Sequence, residues 1–118
     1  MNAVQAQGVL QSADMLVLDI ETPCSNPPDG SIANYCVNFI NQVAQLTGSS
    51  NLLIYTGAWF WNPQAGGSSL LSAHPLWVSG YTKEPPMPKG WSTWAYWQYT
   101  DKATIAGIKG GVDCSVKK

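Results

Sequence analysis

Arginine is absent from this chain of 118 residues, and charged residues of all kinds make up only 11% of it. The six basic residues are all lysines, they form no extended basic run, and the formal net charge is −1. Proteins that bind nucleic acid usually carry clustered Lys and Arg side chains that neutralise phosphates. The composition therefore predicts that nucleic acid is not a partner.

Long apolar segments are also missing from the sequence. No stretch approaches the roughly 20 apolar residues that a membrane-spanning helix requires. Residues 1–10 lack the charged start and the apolar centre of a secretory signal. We therefore expect no membrane span and no signal peptide in this chain, so export would depend on a removed segment or on the lysis route of a phage.

Metal-binding and nucleophilic motifs are scarce. Cys24, Cys36 and Cys114 make an odd number of cysteines without Cys-x-x-Cys spacing, which disfavours a zinc site. A Cys24–Cys36 bridge is possible, but free buried thiols are favoured. The single histidine, His74, has no serine or cysteine partner at a recognisable triad spacing, so we expect a structural role for it. The sequence predicts neither a metal nor an organic cofactor.

The residues that are present predict one α/β domain over residues 1–118, with no internal repeat or interdomain linker. Asp29, Gly30 and Ser31 precede an apolar stripe at helical spacing. The stripe stops at Thr47 and Gly48, which predicts a helix between these two boundaries. Apolar and aromatic runs predict five strands, at residues 15–20, 51–56, 76–80, 93–99 and 112–115.

The most informative segment is residues 15–21, MLVLDIE, in which an apolar run ends in two acids separated by one residue. A run without polar alternation is typical of a parallel strand that is covered on both faces. Because side chains two apart on a strand share a face, Asp19 and Glu21 should point the same way, with Cα atoms roughly 6.6 Å apart. The segment therefore predicts a strand that delivers two carboxylates to the rim of a site.

Paired carboxylates at this spacing suit glycoside hydrolysis, in which one acid protonates the leaving oxygen and the other stabilises or attacks the oxocarbenium-like centre. An apolar environment would raise the pKa of Glu21 and keep it protonated, whereas a hydrated Asp19 would stay ionised. The alternative is that both acids only cap backbone amides at the end of the strand. For this short segment alone, capping is the simpler interpretation.

Four later segments favour the catalytic interpretation of the acid pair over capping. They are residues 54–61 (IYTGAWFW), 75–81 (PLWVSGY), 90–100 (GWSTWAYWQYT) and 107–115 (GIKGGVDCS). In this order and spacing, and together with the acid pair, they resemble the Chalaropsis-type lysozymes, glycoside hydrolase family 25. The resemblance implies a muramidase that cuts the β-1,4 bond between N-acetylmuramic acid and N-acetylglucosamine in bacterial peptidoglycan. Such an enzyme would act outside the cell or in phage-released lysis.

The resemblance also implies a partial barrel. The family domain is a modified eight-stranded β/α barrel whose fourth strand ends in Asp-x-Glu, and a complete β/α barrel typically needs about 250 residues. The chain therefore resembles the second half of a TIM-like β/α barrel, with about five strands beginning at the fourth. An Asp-x-Ser motif on an earlier family strand, and a further active-site aspartate on the first strand, have no counterpart in this sequence.

The resemblance assigns roles to individual residues. Glu21 is the implied acid, and Asp19 is the implied electrostatic partner or nucleophile. A third route has the substrate's own acetamido group attack the anomeric carbon. Asp113 coincides with the aspartate of the family's closing Val-Asp motif, although in an unknown fold a turn-capping role would be favoured. The other implied substrate-binding residues are Tyr55, Trp77, Tyr81 and Gln98.

Core packing is the expected role of four other tryptophans. Trp59 and Trp61 fall just beyond a predicted strand, where core packing is favoured over stacking on a sugar. Trp91 and Trp94 are expected to be packing residues.

Two functional hypotheses follow from these patterns. The first is a muramidase, and the alternative is an inactive half-barrel fragment that binds cell-wall glycan or serves as a structural module. In either case five consecutive barrel strands leave two open edges. We therefore expect a homodimer or larger homo-oligomer with residues 15–20 and 112–115 at or near the interface. The other possibility is that residues 2–11 cover an edge and keep the chain monomeric.

Overall fold

The computed structural model describes residue 11 and residues 14–49 and 52–118. The strands β1 to β5 span Leu16–Asp19, Leu52–Thr56, Leu76–Ser79, Tyr96–Ala103 and Val112–Lys117. Helix α1 (Ile32–Thr47) connects β1 to β2, and helix α2 (Ala58–Gln64) follows β2. The strands form one curled sheet in the order β1-β2-β3-β4-β5. This half-barrel confirms the partial β/α barrel that the sequence predicts.

The direction of the last strand differs from that in a regular β/α barrel. Strands β1 to β4 are parallel, whereas β5 is antiparallel to β4. Residues 104–111, which connect them, are too few for the dozen or more residues that a parallel crossover needs. Gly107 and Gly110 adopt positive φ values of 87° and 89° in this connection. The chain therefore turns back as a hairpin.

Helix α1 begins and ends where the sequence predicts. The Ser31 side chain accepts a hydrogen bond from the backbone N–H of Asn34 at 3.1 Å, which caps the first turn. Gly48 ends the helix in the left-handed conformation with φ 70°, and its N–H donates to the Ala44 carbonyl at 2.8 Å. The buried face carries Ile32, Ala33, Cys36 and Ile40.

All five predicted strands are present, and the bounds of two of them differ from the prediction by more than one residue. Strand β4 begins at Tyr96 and continues to Ala103, because its second half pairs with β5 in the hairpin. Strand β5 likewise runs on to Lys117. The sequence did not predict α2, a helix of only 7 residues with Pro63 inside it.

The two faces of the sheet have different surroundings. Leu16 and Leu18 of β1 pack against the hydrophobic core beside α1, whereas Val17 and Asp19 lie on the opposite face. That opposite face is the inner face of the half-barrel. The core that lies between the sheet and the helices consists of Ile20, Ile32, Ala33, Cys36, Ile40, Leu52, Ile54, Phe60, Trp61 and Leu71.

The cysteines are free thiols, as favoured from the sequence, but only one of them is buried. Cys36 lies in the core, and burial raises the pKa of its thiol to about 11. Cys24 is exposed and Cys114 is half-buried. The expectation of buried thiols is therefore wrong for these two, because both lie outside the core between α1 and the sheet.

Three tryptophans pack outside the inner face. Trp61 is fully buried, and its Nε1 donates to the Ser68 carbonyl at 2.9 Å. Trp91 packs against the core, and its Nε1 donates to the His74 carbonyl at 3.0 Å. Trp94 is only half-buried and meets Trp97 edge-on at 6.2 Å. These contacts confirm the predicted packing roles of Trp91 and Trp94.

The open side of β1 is apolar. Among the described residues, β1 pairs with β2 alone, so its other edge has no strand partner there. Large apolar side chains with more than two fifths of their surface exposed lie just before β1, on β1 and on α1: Met15, Val17, Tyr35, Phe39 and Leu46. In the described part of the chain no helix is long and apolar enough to cross a membrane. The proposal that residues 2–11 cover an edge concerns residues that lie, except for Gln11, outside those described.

We expect the chain to self-associate through this edge, because unpaired strand backbone beside apolar surface favours pairing with another chain. Light scattering should give a mass above that of the monomer, decreasing on dilution. Val17→Lys should weaken the association, because it places a charge on the edge strand. Ile108→Lys, at a side chain that is 54% exposed in the hairpin connection, serves as the matched control. A cooperatively folded monomer at micromolar and higher concentrations would contradict this expectation.

Candidate active site

The end of β1 is fixed by two hydrogen bonds from β2. The N–H of Ile20 donates to the Tyr55 carbonyl at 2.9 Å, and the hydroxyl of Thr56 donates to the Ile20 carbonyl at 2.8 Å. Ile20 is buried in the core with 6% of its surface exposed. Because neighbouring side chains on a strand point to opposite faces, Asp19 and Glu21 face away from the core. The buried isoleucine therefore sets the direction of the acid pair.

Cross-strand register brings further side chains to the same face. Asp19 lies opposite Tyr55, and Tyr55 lies opposite Trp77. Nearer the rim, Ser79 lies opposite Gln98. A depression of about 490 Å³ lies on this face, and we call it the inner depression. It is lined by Val17, Asp19, Glu21, Tyr55, Trp77, Gln98, Asp113 and Ser115. The structure thus brings together six of the seven candidate site residues.

Tyr81 is the candidate residue that does not line the inner depression. It follows β3, is 51% exposed, and lines an adjoining depression beside Trp59, Ser79 and Gly80. Glu21 and Tyr55 line both depressions. We call the second one the outer depression. Glu21 therefore stands at the boundary between two concave surfaces.

Hydrogen bonds hold the walls of the inner depression in place. The Tyr55 hydroxyl donates to Oε1 of Gln98, a side chain with 3% of its surface exposed. The Trp77 Nε1 donates to the Ser115 hydroxyl at 3.0 Å. The Tyr55 and Trp77 rings meet edge-on with centroids 5.1 Å apart. These contacts orient two aromatic rings towards the acid pair before any ligand binds.

The electrostatics favour a protonated Glu21. Glu21 keeps an exposed surface, yet the groups around it partly desolvate its carboxyl, and this is the largest cause that raises its pKa above the usual value. The charge of Asp19 and a hydrogen bond that protonated Glu21 donates to Asp19 raise this pKa further. The charge of Asp113 adds to the effect. The direction agrees with the expectation from the sequence that apolar surroundings raise the pKa of Glu21.

Tyr55 experiences the same negative field. Desolvation is the largest cause that raises its pKa, and the charges of Glu21 and Asp19 act in the same direction. A hydrogen bond with Ser79 acts in the opposite direction. Tyr55 is therefore a neutral hydrogen-bonding group in this site rather than a source of negative charge.

Sequence reasoning missed three residues of the site. Ser79 and Ser115 lie two residues after Trp77 and Asp113 on their strands, so period-two alternation could have placed them on the same face. Trp59 was assigned to core packing, but 54% of its surface is exposed beside Glu21. No periodic signal separates it from its buried neighbours Phe60 and Trp61.

The acid pair is the chemically distinctive feature of this face. Within the described residues, His, Cys, Asp and Glu form no group of three or more that could hold a metal ion. What the arrangement can do is donate a proton from Glu21 while Asp19 presents a second carboxyl within hydrogen-bond reach.

Comparisons with known proteins agree with this geometry. Residues 1–108 match the sequence model of the family described as Glycosyl hydrolases family 25. Lysozyme M1 of Streptomyces globisporus is 34% identical over 65 residues, which cover 53% of this chain and 22% of that protein.

Two solved structures have a similar fold. The spore cortex lytic enzyme SleM of Clostridium perfringens superposes with a TM-score of 0.73 and 28% identity, covering 86% of this chain and 36% of SleM. A bacterial lysozyme of Streptomyces coelicolor superposes with a TM-score of 0.68 and 28% identity, covering 86% of this chain and 49% of the lysozyme. The chain thus spans about half or less of the length of these relatives.

Replacing Asp19 should lower the pKa of Glu21. Asp19→Asn removes a negative charge and the carboxylate that accepts the hydrogen bond of protonated Glu21, so the Glu21 pKa should move down towards its usual value. Asp113→Asn should move it in the same direction by less. Carbon-13 NMR titration of the Glu21 carboxyl measures both shifts. Asp101→Asn, at an exposed position of β4, is the control. An unchanged Glu21 pKa in Asp19→Asn would remove the coupling between the two acids.

Proposed function

Because the chain belongs to glycosyl hydrolases family 25, we propose that it carries the acid pair of a muramidase. The proposed reaction is hydrolysis of the β-1,4 bond between N-acetylmuramic acid and N-acetylglucosamine in bacterial peptidoglycan. The observation that carries the proposal is the raised pKa of Glu21, which shares a hydrogen bond with Asp19 in an aromatic-walled depression. The names of the relatives, a lysozyme and a spore cortex lytic enzyme, support the same substrate class.

In the proposed mechanism, protonated Glu21 donates its proton to the glycosidic oxygen as the C–O bond breaks. The leaving sugar departs as an alcohol, and positive charge develops at the anomeric carbon. The Asp19 carboxylate stabilises or attacks that carbon, or the substrate's own acetamido oxygen does so. Water then adds at the anomeric carbon while Glu21, now a carboxylate, takes back a proton. The protein returns to its starting state.

The distance between the Glu21 and Asp19 carboxyl groups bears on whether hydrolysis retains or inverts the anomeric configuration. Inverting glycosidases separate their carboxyl groups by about 6.5–9.5 Å so that a water fits between them. Asp19 acts on the pKa of Glu21 as a side-chain hydrogen-bond partner, which places the two carboxyl groups closer together than that range. We therefore infer that the anomeric configuration is retained, through either Asp19 or the acetamido group.

The aromatic side chains would hold the glycan. The C–H faces of pyranose rings and the acetamido methyl groups are apolar, so they pack against aromatic rings such as those of Tyr55 and Trp77. Gln98 and Asp113 would contact sugar hydroxyl or amide groups. Acting on the cell wall, the chain would work as a secreted or phage-released enzyme, with peptidoglycan as its partner.

A second candidate function is glycan binding without cleavage. The observation that favours it is the open edge of β1, which leaves the inner depression without a wall beside Val17 and Asp19 among the described residues. A site open to water on one side desolvates a transition state poorly. Such a chain would still keep the aromatic surfaces on which sugars pack.

Release of new reducing ends from purified peptidoglycan separates the two functions. If the chain is a muramidase, Glu21→Gln should lower the rate by at least about 10²–10⁴-fold, because general acid catalysis is worth that much, while glycan binding survives. The control is Glu84→Gln, which replaces the exposed glutamate of the loop after β3. Wild-type protein that binds glycan but releases no reducing ends would leave the binding function in place of the enzyme.

Trp77→Ala should weaken saccharide binding more than Trp94→Ala, because only Trp77 lines the inner depression. Trp94 packs against Trp97, and Lys118 Nζ lies 5.3 Å from its ring centre. Since Trp94 is only half-buried, its truncation should cost less stability than the roughly 3–5 kcal/mol typical of a fully buried tryptophan. Thermal unfolding and glycan titration of both variants measure the two effects. Equal glycan affinities would contradict the assignment of Trp77.

A further inference from the structure

A third depression lies at the amino ends of β3 and β4, whereas the acid pair lies at the carboxyl end of β1. Strands β1 to β4 are parallel, so this depression is at the opposite edge of the sheet from the acids. Its volume is about 320 Å³, and two short segments line it, residues 72–76 and 91–95. We call it the lower depression. It shares no lining residue with the inner or the outer depression.

Hydrogen bonds join the two segments that line the lower depression. The Trp91 Nε1 donates to the His74 carbonyl at 3.0 Å, and the N–H of Ala95 donates to the Leu76 carbonyl at 2.7 Å. The Trp91 ring also meets the buried Trp61 ring edge-on, with centroids 5.4 Å apart. The lower depression is therefore formed without a ligand, and its walls do not involve the open edge of β1.

An ammonium group is held beside the lower depression. Lys118 Nζ donates to the hydroxyl oxygen of Thr93 at 2.7 Å, and it lies 5.3 Å from the centre of the Trp94 ring. A cation is attracted to an aromatic face at this distance. The backbone N–H of Lys118 donates to the Ala95 carbonyl at 3.0 Å. These three contacts place a positive charge next to two residues that line the depression.

The polar groups at the lower depression favour a ligand that accepts hydrogen bonds. A lysine ammonium has three N–H donors, and a hydroxyl that accepts a bond keeps its own hydrogen for donation. His74, which lines the same depression, carries at least one ring N–H in either protonation state. Among the described residues that line the depression there is neither Asp nor Glu. The donors and the positive charge therefore have no competing carboxylate in the lining.

The rest of the lining is apolar. Trp91 and Trp94 are half-buried, so each keeps part of its ring surface accessible, and Pro75 lies between the two segments that the hydrogen bonds join. Small-ligand sites typically combine such apolar walls with a few polar groups that fix the orientation of the ligand. The lower depression therefore suits a ligand with an anionic end and a small apolar body.

We propose that the lower depression binds a carboxylate that is attached to a small apolar body. Lys118 and Thr93 donate to the carboxylate, and the rings of Trp91 and Trp94 pack against the body. In bacterial cell walls this chemistry occurs at the C-terminal end of the wall peptides and in the lactyl group of N-acetylmuramic acid that carries no peptide. The choice of these two sources rests on the proposed function, whereas the chemistry of the site does not.

Ligand pairs that differ in the carboxylate test this inference. N-acetyl-alanyl-alanine is titrated into the wild-type chain while NMR follows the backbone and indole N–H signals, and its C-terminal amide is the matched neutral ligand. The acid should shift the signals of residues 91–95 and bind about threefold to tenfold more tightly than the amide, as expected for one exposed charge-assisted contact. The signals of Asp19 and Tyr55 should not move. N-acetylmuramic acid and N-acetylglucosamine form the second pair and test the sugar source.

Substitutions at the rim assign the carboxylate contact. Lys118→Gln removes the charge, so it should lower the affinity for the acid about threefold to tenfold and leave that for the amide unchanged. Thr93→Val should also weaken binding of the acid, because it removes a hydroxyl donor. Both side chains are exposed, so the fold should survive either substitution. Lys117→Gln, at the exposed neighbouring lysine of β5, is the matched control and should change neither affinity.

Three results would overturn the inference. The acid and its amide could bind equally, which would exclude recognition of the carboxylate. Lys117→Gln could weaken binding as much as Lys118→Gln, which would indicate a general effect of charge. If neither N-acetyl-alanyl-alanine nor N-acetylmuramic acid shifts residues 91–95, the site is not a carboxylate site, although the proposed function would stand. Carboxylate binding at residues 91–95 by a chain that releases no reducing ends would support the site and remove the proposed enzyme function.

Discussion

The hydrogen bonds that β2 makes to both backbone groups of Ile20 are the constraint on which the site depends. They lock the register at the end of β1, and register in a strand decides which face every side chain meets. A slip by one residue would turn Ile20 outwards and move the flanking carboxyls towards the core. Burying an unpaired carboxylate costs several kcal/mol, so the observed register is strongly favoured over that alternative. The position of the acids therefore follows from the burial of the residue between them.

The site contains little besides carboxyls to set its charge. Asp19 and Asp113 are the charges that act on Glu21, and the neighbouring polar groups of Tyr55 and Gln98 are neutral. A chain without arginine has no guanidinium to pair with these acids, which is consistent with the direction of the Glu21 shift. Because the folded pKa of Glu21 lies above its unfolded value, this carboxyl's contribution to stability is present at low pH and is lost as the pH rises through that window. The protonated state that a general acid needs is thus also the state in which this carboxyl favours the fold.

Local rules predicted some parts of the molecule well and others poorly. Period-two alternation placed Asp19 and Glu21 on one face, and the capping residues Ser31 and Gly48 defined α1, because both signals lie within a few residues of their effect. The bounds of β4 depended on its pairing with β5, and the residues of β4 alone do not predict that pairing. The exposure of Trp59 beside Glu21 depended on a depression that forms only when distant strands come together.

The antiparallel final strand gives the two walls of the inner depression different closure entropies. Strand β5, with Asp113 and Ser115, reaches β4 through the short connection of residues 104–111. Strand β1, with the acid pair, reaches β2 only across a connection that includes all of α1. The β5 wall therefore forms from contacts between residues close in sequence, whereas the β1 wall, which carries the acids, depends on long-range contacts. Closing the longer stretch of chain costs more conformational entropy. The reacting groups therefore belong to the part of the sheet that is entropically more demanding to assemble.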